Sequence, residues 1–445
     1  MSNSETSPDE GFKQEGGRIA TGRFAPSRAA MWLLARMLRR LIRNGSLLVR
    51  DNQGDTWRFG PGGEPAVSIR LTDKKLPARL LANPSLALGE AYMDGTLRIE
   101  AGSLRDLLWI CTSDMDTIDA LPGKRMIRWL DVFMSRRLHH NPISRSHANV
   151  AHHYDISTNL YDLFLDADRQ YSCAYFPTGV ETLDEAQTLK KRHIAAKLLL
   201  RPEMEVLDIG SGWGGLAMEL AEQYEARVTG LSLSTEQIFA ARERAAQSGL
   251  SRRVTFEQRD YRQEKGRYDR VVSVGMFEHV GRSAFDEFFT TLLRALKPDG
   301  VALVHAIGTM APKGGSDPWI RKYIFPGGYL PTLSETIAAA ERSRLWVTDV
   351  EVLRLHYAET LRHWSVRFAA ERDTARTLYD ERFCRMWEFY LAACEMAFRN
   401  GRLMVFQIQL AKRRDSVPLT RDYIAEAEAS ESAKDTLVDT RIRRG

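Results

Sequence analysis

Leu34, Met37, Leu38, Leu41 and Ile42 recur at helical spacing, and the positions around them carry Arg28, Arg36, Arg39, Arg40, Arg43 and Arg50. The pattern predicts a basic amphipathic helix near the start of the chain. The period then shortens: Ser46–Val49, Thr56–Phe59 and Ala66–Leu71 read as strands, separated by the turn-forming runs Asn52–Asp55 and Gly60–Gly63. Helical patterns return at Lys75–Leu81 and Leu104–Ile110. Residues 28–140 are therefore expected to form a small α+β domain that binds or docks, since no catalytic constellation shows in it. From residue 141 to 412, strand-like apolar runs alternate with helix-like segments, the signature of a doubly wound α/β sheet. Residues 1–27 are expected as a disordered polar tail, and 413–445, charged and poor in large apolar residues, as a mobile C-terminal tail.

Composition narrows the class. With 445 residues and 44% hydrophobic content there is material for two domains and a large core. The four cysteines, Cys111, Cys173, Cys384 and Cys394, form no CxxC pair, which suits free thiols in a reducing cytoplasm and gives no zinc pattern; no metal is expected. The N-terminus has no apolar core of a secretory signal, and no apolar run approaches the length of a membrane span. Net charge is only +5, yet no acidic residue occurs between Phe24 and Arg50. Such a helix suits an anionic membrane surface, apolar face down, or is simply a first helix with a solvated arginine face. Nucleic acid fits less well, because Trp32 is the only aromatic in the basic stretch.

The run Val206-Leu207-Asp208-Ile209-Gly210-Ser211-Gly212-Trp213-Gly214-Gly215 is the most informative segment for chemistry. An apolar strand ends in a carboxylate, a glycine-rich turn follows, and a helix begins near Leu216. Glycines there let backbone approach a ligand closely. Asp208 can bond to an amino-acid ammonium or to the turn itself; S-adenosylmethionine carries such an ammonium and NAD does not. The next strand, Arg227–Leu231, ends in Ser232 and Leu233 rather than an acid, so Gln237 becomes the candidate for the ribose. After Val254–Gln258, Asp260 and Tyr261 are placed to meet an adenine, though Asp260 can equally be a helix cap.

Six segments then occur in one order: Tyr171–Phe176, Asp208–Gly215, Gly275–Gly281, Lys322–Gly328, His356–Leu361 and Tyr390–Cys394. Together, over roughly Ala148 to Leu410, they resemble the cyclopropane-fatty-acyl-phospholipid synthases and their mycolic-acid-modifying relatives. Leu88-Gly89-Glu90-Ala91-Tyr92-Met93-Asp94-Gly95 resembles part of the N-terminal lipid-binding domain of the phospholipid-modifying members. The resemblance implies a Rossmann-like S-adenosylmethionine-dependent methyltransferase sheet with a smaller N-terminal α+β domain. It implies cofactor contacts from Tyr171, Ser172, Gly210, Gly212, Ser232, Leu233, Gln237, Asp260 and Tyr261, with Asp208 and Ser211 in the same turn. Ser211 departs from the cysteine many members have there. It implies a bicarbonate pocket formed by Cys173, Glu278, His305, Ile307 and Tyr357. Cys394 stands where a cysteine nucleophile has been assigned, but its spacing among Leu391, Met396 and Phe398 favours core packing.

The implied chemistry makes sense of these residue types. A sulfonium methyl is already electrophilic, so the protein must position it rather than attack it. An alkene that takes the methyl becomes a carbocation, and ring closure needs a base that will not trap that cation. A held bicarbonate meets this requirement, with His305, Tyr357 and backbone N–H groups near Cys173 and Ile307 as donors and Glu278 giving the relay direction. Each residue also has a plainer role: His305 as a core histidine, Glu278 as a carboxylate at a helix start, Cys173 as a small hydrophobe. In the insertion 308–345, Trp319, Tyr323, Ile324, Phe325 and Tyr329 are expected to line an acyl tunnel, or to form a plain lid. The partners expected are unsaturated phospholipids at the inner face of the membrane, with a homodimer left open. The alternatives are a C-methyltransferase giving methyl-branched acyl chains and a non-catalytic lipid-binding protein of the same fold.

Overall fold

The structure is a computed structural model that describes residues 26–114, 158–310 and 317–431. The expected N-terminal tail up to residue 25, the junction at 140/141 and residues 432–445 lie outside the described residues.

The N-terminal part builds a four-stranded sheet in the order β2-β1-β3-β4 from β1 (Gly45–Arg50), β2 (Thr56–Gly62), β3 (Ala66–Leu71) and β4 (Leu97–Ala101). Helix α1 (Pro26–Leu41) lays Met31, Leu34 and Ala35 into the core beneath Leu47, Val49, Phe59, Val67 and Ile69. Of the two readings left open, this fits a first helix with a solvated arginine face, since its apolar side is covered by the domain's own core. Burying that face in the domain's own core satisfies it, and the solvent side carries arginines. Trp32 and Leu33 nonetheless stay about half exposed there, at 48% and 49%, beside exposed Arg28, Arg36, Arg39 and Arg40. Helices α2 (Leu76–Ala82), α3 (Pro84–Met93) and α4 (Leu104–Thr112) complete this part. Pro84 after the capping Asn83 and Asp106 after the capping Ser103 start the last two.

The larger sheet runs β10-β11-β9-β8-β5-β6-β7, with β5 (Glu205–Ile209), β6 (Arg227–Ser232), β7 (Val254–Gln258), β8 (Tyr268–Val274), β9 (Leu296–Thr309), β10 (Trp346–Leu353) and β11 (Leu403–Ala411). β5 to β9 are mutually parallel, and β11 lies antiparallel between β9 and β10. The chain leaves β5 toward β6 and β7, then returns to β8 on the other side, which places the topological switch point between β5 and β8. Both faces are covered: Leu207, Val271, Phe288 and Leu292 belong to one core, Ile194, Val206, Leu216 and Ile238 to the other. The covering helices include α5 (Leu183–Leu198), α6 (Gly215–Gln223), α7 (Thr235–Gln247) and α8 (Phe285–Ala295).

A third apolar cluster includes Trp364 of α11 (His356–Ala370), Trp387 of α12 (Glu381–Arg399), Trp213 of the turn after β5 and Trp319. The insertion contributes α9 (Pro318–Tyr323) and α10 (Leu333–Arg342). Trp319 is fully buried against Phe389 at 4.7 Å between ring centres, and Tyr329 is buried edge-on to Phe285 at 5.9 Å. Both are packing residues where tunnel lining was expected. The C-terminal expectation is corrected too. Residues 422–431 are helical, Ile424 is buried, Arg421 pairs with Asp349 at 2.7 Å and Glu428 bonds to His193 at 2.6 Å. Charge made the segment read as solvated, but Arg421 pairs with Asp349 on β10 and Glu428 with His193 on α5. No helix of the described residues is long and apolar enough to cross a membrane.

Candidate functional site

A cavity opens at the C-terminal ends of β5, β6 and β8, where the strand order reverses. Its floor is the turn after β5. Gly210, Gly212 and Gly214 adopt φ of +87°, +54° and +84°, and the N–H groups of Gly210 and Ser211 both donate to the Leu231 carbonyl, at 2.8 and 2.9 Å. The glycines differ in what surrounds them. A Cβ on Gly210 would stand 2.9 Å from Met276, and on Gly214 2.5 Å from Phe256, whereas at Gly212 it would meet nothing within 4 Å. Gly212 thus presents bare backbone to the cavity it lines.

All eleven residues expected around the cofactor line this cavity: Tyr171, Ser172, Asp208, Gly210, Ser211, Gly212, Ser232, Leu233, Gln237, Asp260 and Tyr261. Asp208 is buried, and its Oδ2 has no partner among the described residues. Burial pushes its carboxyl up to about 7 against the pull of Lys190. Ser232 Oγ donates to Gln237 Oε1 at 2.9 Å. Tyr171 stacks on Trp364 and shares a 2.8 Å hydrogen bond between hydroxyls with Tyr390. Asp260 does cap the short turn Tyr261–Gln263, and its carboxylate takes Arg262 in a two-pronged bond at 2.9 and 2.6 Å. The plainer role foreseen for it is therefore real, alongside its place at the cavity wall.

Sequence patterning missed Lys190. It lies in the charged run Lys190-Lys191-Arg192-His193 and reads as a solvated helix face. In the fold it is fully buried, and Nζ donates to Gln170 Oε1 at 2.5 Å and Ser172 Oγ at 2.9 Å. Burial brings its ammonium down to about 8, against the pull of Asp166. Gln170, Met276, His279, Pro326 and Gly327, which also line the cavity, were missed as well. All but Gln170 sit within quoted segments, which was the available signal.

The second group borders the first. Glu278 lies in a turn (Phe277–His279) directly after β8, flanked by the cavity-lining Met276 and His279. Its Oε1 accepts the Ile307 N–H at 2.6 Å, while Oε2, also buried, has no partner among the described residues. Burial raises its carboxyl to about 7, opposed by the Ile307 bond. The Ile307 amide, expected as a donor to an anion, is thus engaged by Glu278 here. His305 precedes Ile307 by two on β9, so both side chains share one sheet face. Its Nδ1 lies 3.2 Å from the Gln407 amide nitrogen, an arrangement that suits the tautomer with the ring proton on Nε2. Burial lowers it to about 3, so it is neutral at working pH.

Cys173 and Tyr357 are buried in the third apolar cluster, and Ile307 and Cys394 pack against it. Burial pushes the Cys173 thiol far up and the Cys394 thiol up to about 12, so neither is a thiolate near neutral pH. Tyr357 meets Trp364 edge-on at 5.8 Å and Phe398 at 4.8 Å.

Comparison with known proteins places this geometry. The family model for mycolic acid cyclopropane synthetase matches residues 142–408, and a model for a domain of unknown function (DUF7884) matches residues 34–118. A "Probable fatty acid methyltransferase" of Pseudomonas putida is 38% identical over 363 residues, 80% of this chain and 89% of that protein. The cyclopropane-fatty-acyl-phospholipid synthase of Escherichia coli (strain K12) is 37% identical over 366 residues, 79% of this chain and 89% of the relative. Among solved structures, mycolic acid cyclopropane synthase CmaA1 complexed with SAH and CTAB is similar at a TM-score of 0.57 and 36% identity, over 61% of this chain and 99% of the other.

Proposed function

The chain belongs to the mycolic acid cyclopropane synthetase family and is an S-adenosylmethionine-dependent methyltransferase of the cyclopropane synthase type, and from that premise we propose that it converts cis double bonds of unsaturated phospholipid acyl chains into cyclopropane rings. The observation that carries the proposal is Glu278: a buried carboxylate held by one oxygen from the Ile307 N–H, in the same turn as the cavity-lining Met276 and His279, with Ile307 itself packed against the apolar cluster that contains Cys173 and Tyr357.

The cavity residues fit S-adenosylmethionine on their own chemistry. The partnerless Asp208 oxygen suits an ammonium, Gln237 a ribose hydroxyl, and the bare backbone at Gly212 a close approach. When bound, the cofactor supplies an electrophilic methyl. The chain's own residues then have three tasks: keep water from the cation, keep nucleophiles from it, and move one proton. Cys173 and Cys394, held as thiols, and neutral His305 offer no strong nucleophile. Bicarbonate is the base we assign to this proton: if bound, it would be held by His305 and Tyr357 near Glu278 and would supply a weak base that is not a strong nucleophile.

The exposed side of α1 supports docking of the enzyme to the inner, anionic face of a membrane: Trp32 and Leu33 stand out among arginines. The test of this function is transfer of label from S-adenosylmethionine to vesicles. Vesicles of cis-unsaturated phospholipid should take up label, and fully saturated vesicles of the same head group should not. Equal labelling of both contradicts the proposal.

A further inference from the structure

The segment Leu88–Gly95 lies on α3 and its C-terminal end; Ala91 packs into the N-terminal core, while Gly89, Glu90 and Met93 meet the catalytic part of the chain. Glu90 Oε1 accepts from Lys322 Nζ at 2.6 Å and from Tyr323 Oη at 2.9 Å, while Oε2 accepts from Arg79 at 2.8 Å. Met93 Sδ takes the indole N–H of Trp319 at 3.3 Å. At Gly89 the helices approach so closely that a Cβ would stand 2.5 Å from Trp319 Cδ1 and 2.8 Å from Phe389. At the other end Ser85 bonds to Asp317, the residue that caps α9 through the Trp319 and Ile320 amides. Helix α9, only one and a half turns long, is thus held along its length by α3.

The chain that leaves α9 runs straight into the site. Pro326 and Gly327 line the cofactor cavity. Phe325 stands 6.0 Å from Tyr390 and 6.2 Å from His279 between ring centres. The Tyr329 N–H then donates to the backbone carbonyl of Glu278 at 3.0 Å. Between Tyr323 and that bond the chain has no helix or strand of its own; buried Ile324 and the Phe325 N–H to Ile320 carbonyl bond at 2.9 Å tie its start to α9, so its placement follows that of α9 at one end and of Glu278 at the other.

We infer that Glu90 is a positioning residue: through Lys322 and Tyr323 the N-terminal part sets the place of segment 324–329, and with it one wall of the cofactor cavity and the backbone of Glu278. Burial opposes ionisation of Glu90, but Lys322, Tyr323 and Arg79 together hold its carboxyl below the usual range, so the clamp stays charged at working pH. The consequence for turnover rests on the function proposed above; the mechanical link does not. The N-terminal part then acts on the chemistry as well as on delivery of lipid.

Hydrogen exchange and kinetics on the full chain test the link separately. In Glu90→Ala, peptides covering 324–329 should exchange about tenfold faster, with peptides of β5 and β8 unchanged. The kcat on unsaturated vesicles should fall by about tenfold or more, since small misplacements in a site are costly. Lys322→Ala should act in the same direction, and the double variant should be no worse than the poorer single, as expected for partners in one contact. Unchanged exchange at 324–329 in a folded Glu90→Ala protein overturns the inference, as do losses that multiply in the double variant. If the wild-type chain leaves vesicles unmodified, the proposed function fails, while the exchange experiment still decides the link.

Discussion

Ile307 N–H donates to Glu278 Oε1 at 2.6 Å, so strand β9 grips the carboxylate by one oxygen and leaves Oε2 buried without a partner among the described residues. A group held this way is oriented but not satisfied. Burial has moved it to about 7, where one proton is gained or lost at little cost.

Its pH dependence follows. A raised carboxyl is protonated below about 7, and a neutral Glu278 cannot accept a proton from its neighbour. The kcat of wild type should therefore fall as pH drops through about 7, and Glu278→Gln should lose about 10²–10⁴-fold while still binding S-adenosylmethionine. His305→Gln should behave similarly at constant fold. A pH-rate profile flat across that range, or full activity in both variants, would remove Glu278 and His305 from the chemistry.

Asp208 gives a prediction about binding. Its carboxyl, raised to about 7 by burial, must be ionised to pair with an ammonium. Affinity for S-adenosylmethionine should weaken as pH falls below about 7, by up to about tenfold per unit, with proton release on binding. Calorimetry in buffers of different ionisation enthalpy measures that release. Asp208→Asn should abolish the pH dependence along with most of the affinity.

The same burial predicts a stability gain. Buried carboxyls with raised titration points stabilise the fold only while protonated, so their cost appears as pH rises from the unfolded value toward about 7. At about pH 8, Asp208→Asn and Glu278→Gln should each raise stability by on the order of 1–3 kcal/mol in the ligand-free protein. Thermal unfolding at two pH values checks it, and a lower melting temperature for both variants at pH about 8 contradicts the electrostatic account.

Gly212 separates the ligand from the fold. The space beyond its Cα is open and its φ is +54°, a left-handed value that a β-branched residue adopts poorly. Gly212→Val should cost about 1–2 kcal/mol of stability and abolish cofactor binding. Unchanged affinity in the folded variant would separate the turn from the cofactor.

On α1, the predicted membrane contact depends on charge and on one aromatic. Changing Arg36, Arg39 and Arg40 together to Gln should weaken co-sedimentation with anionic vesicles at low salt, by up to about 1 kcal/mol per arginine, and Trp32→Ala should weaken it at any salt. Binding unaffected by either change makes this an ordinary solvated face.

Much of this was legible in the sequence, and the exceptions share a cause. The strand that carries Asp208, the glycine turn and the cavity-lining Gln237 and Tyr261 follow local rules that short segments carry. What patterning missed depends on partners distant in the chain. Lys190 reads as solvent-facing until Gln170 and Ser172 are folded over it. Trp319 reads as tunnel lining until Gly89 is seen to receive it. The segment after Ala411 reads as a tail until His193 and Asp349 take its charges. Helix α1 shows the reverse: its period was right, but period alone does not say whether a domain core or a membrane covers the apolar side.

The central claim is ring closure on a phospholipid acyl chain, and product analysis tests it most directly. Purified protein incubated with S-adenosylmethionine and vesicles of a cis-monounsaturated phospholipid should yield acyl chains one CH₂ heavier than the substrate, and catalytic hydrogenation under mild conditions should leave their mass unchanged, as for a cyclopropane. Yield should rise when bicarbonate is added to carefully degassed enzyme. A heavier product that takes up hydrogen would mean a branched alkene and a methyltransferase that stops before ring closure, and no mass gain at all would contradict the account.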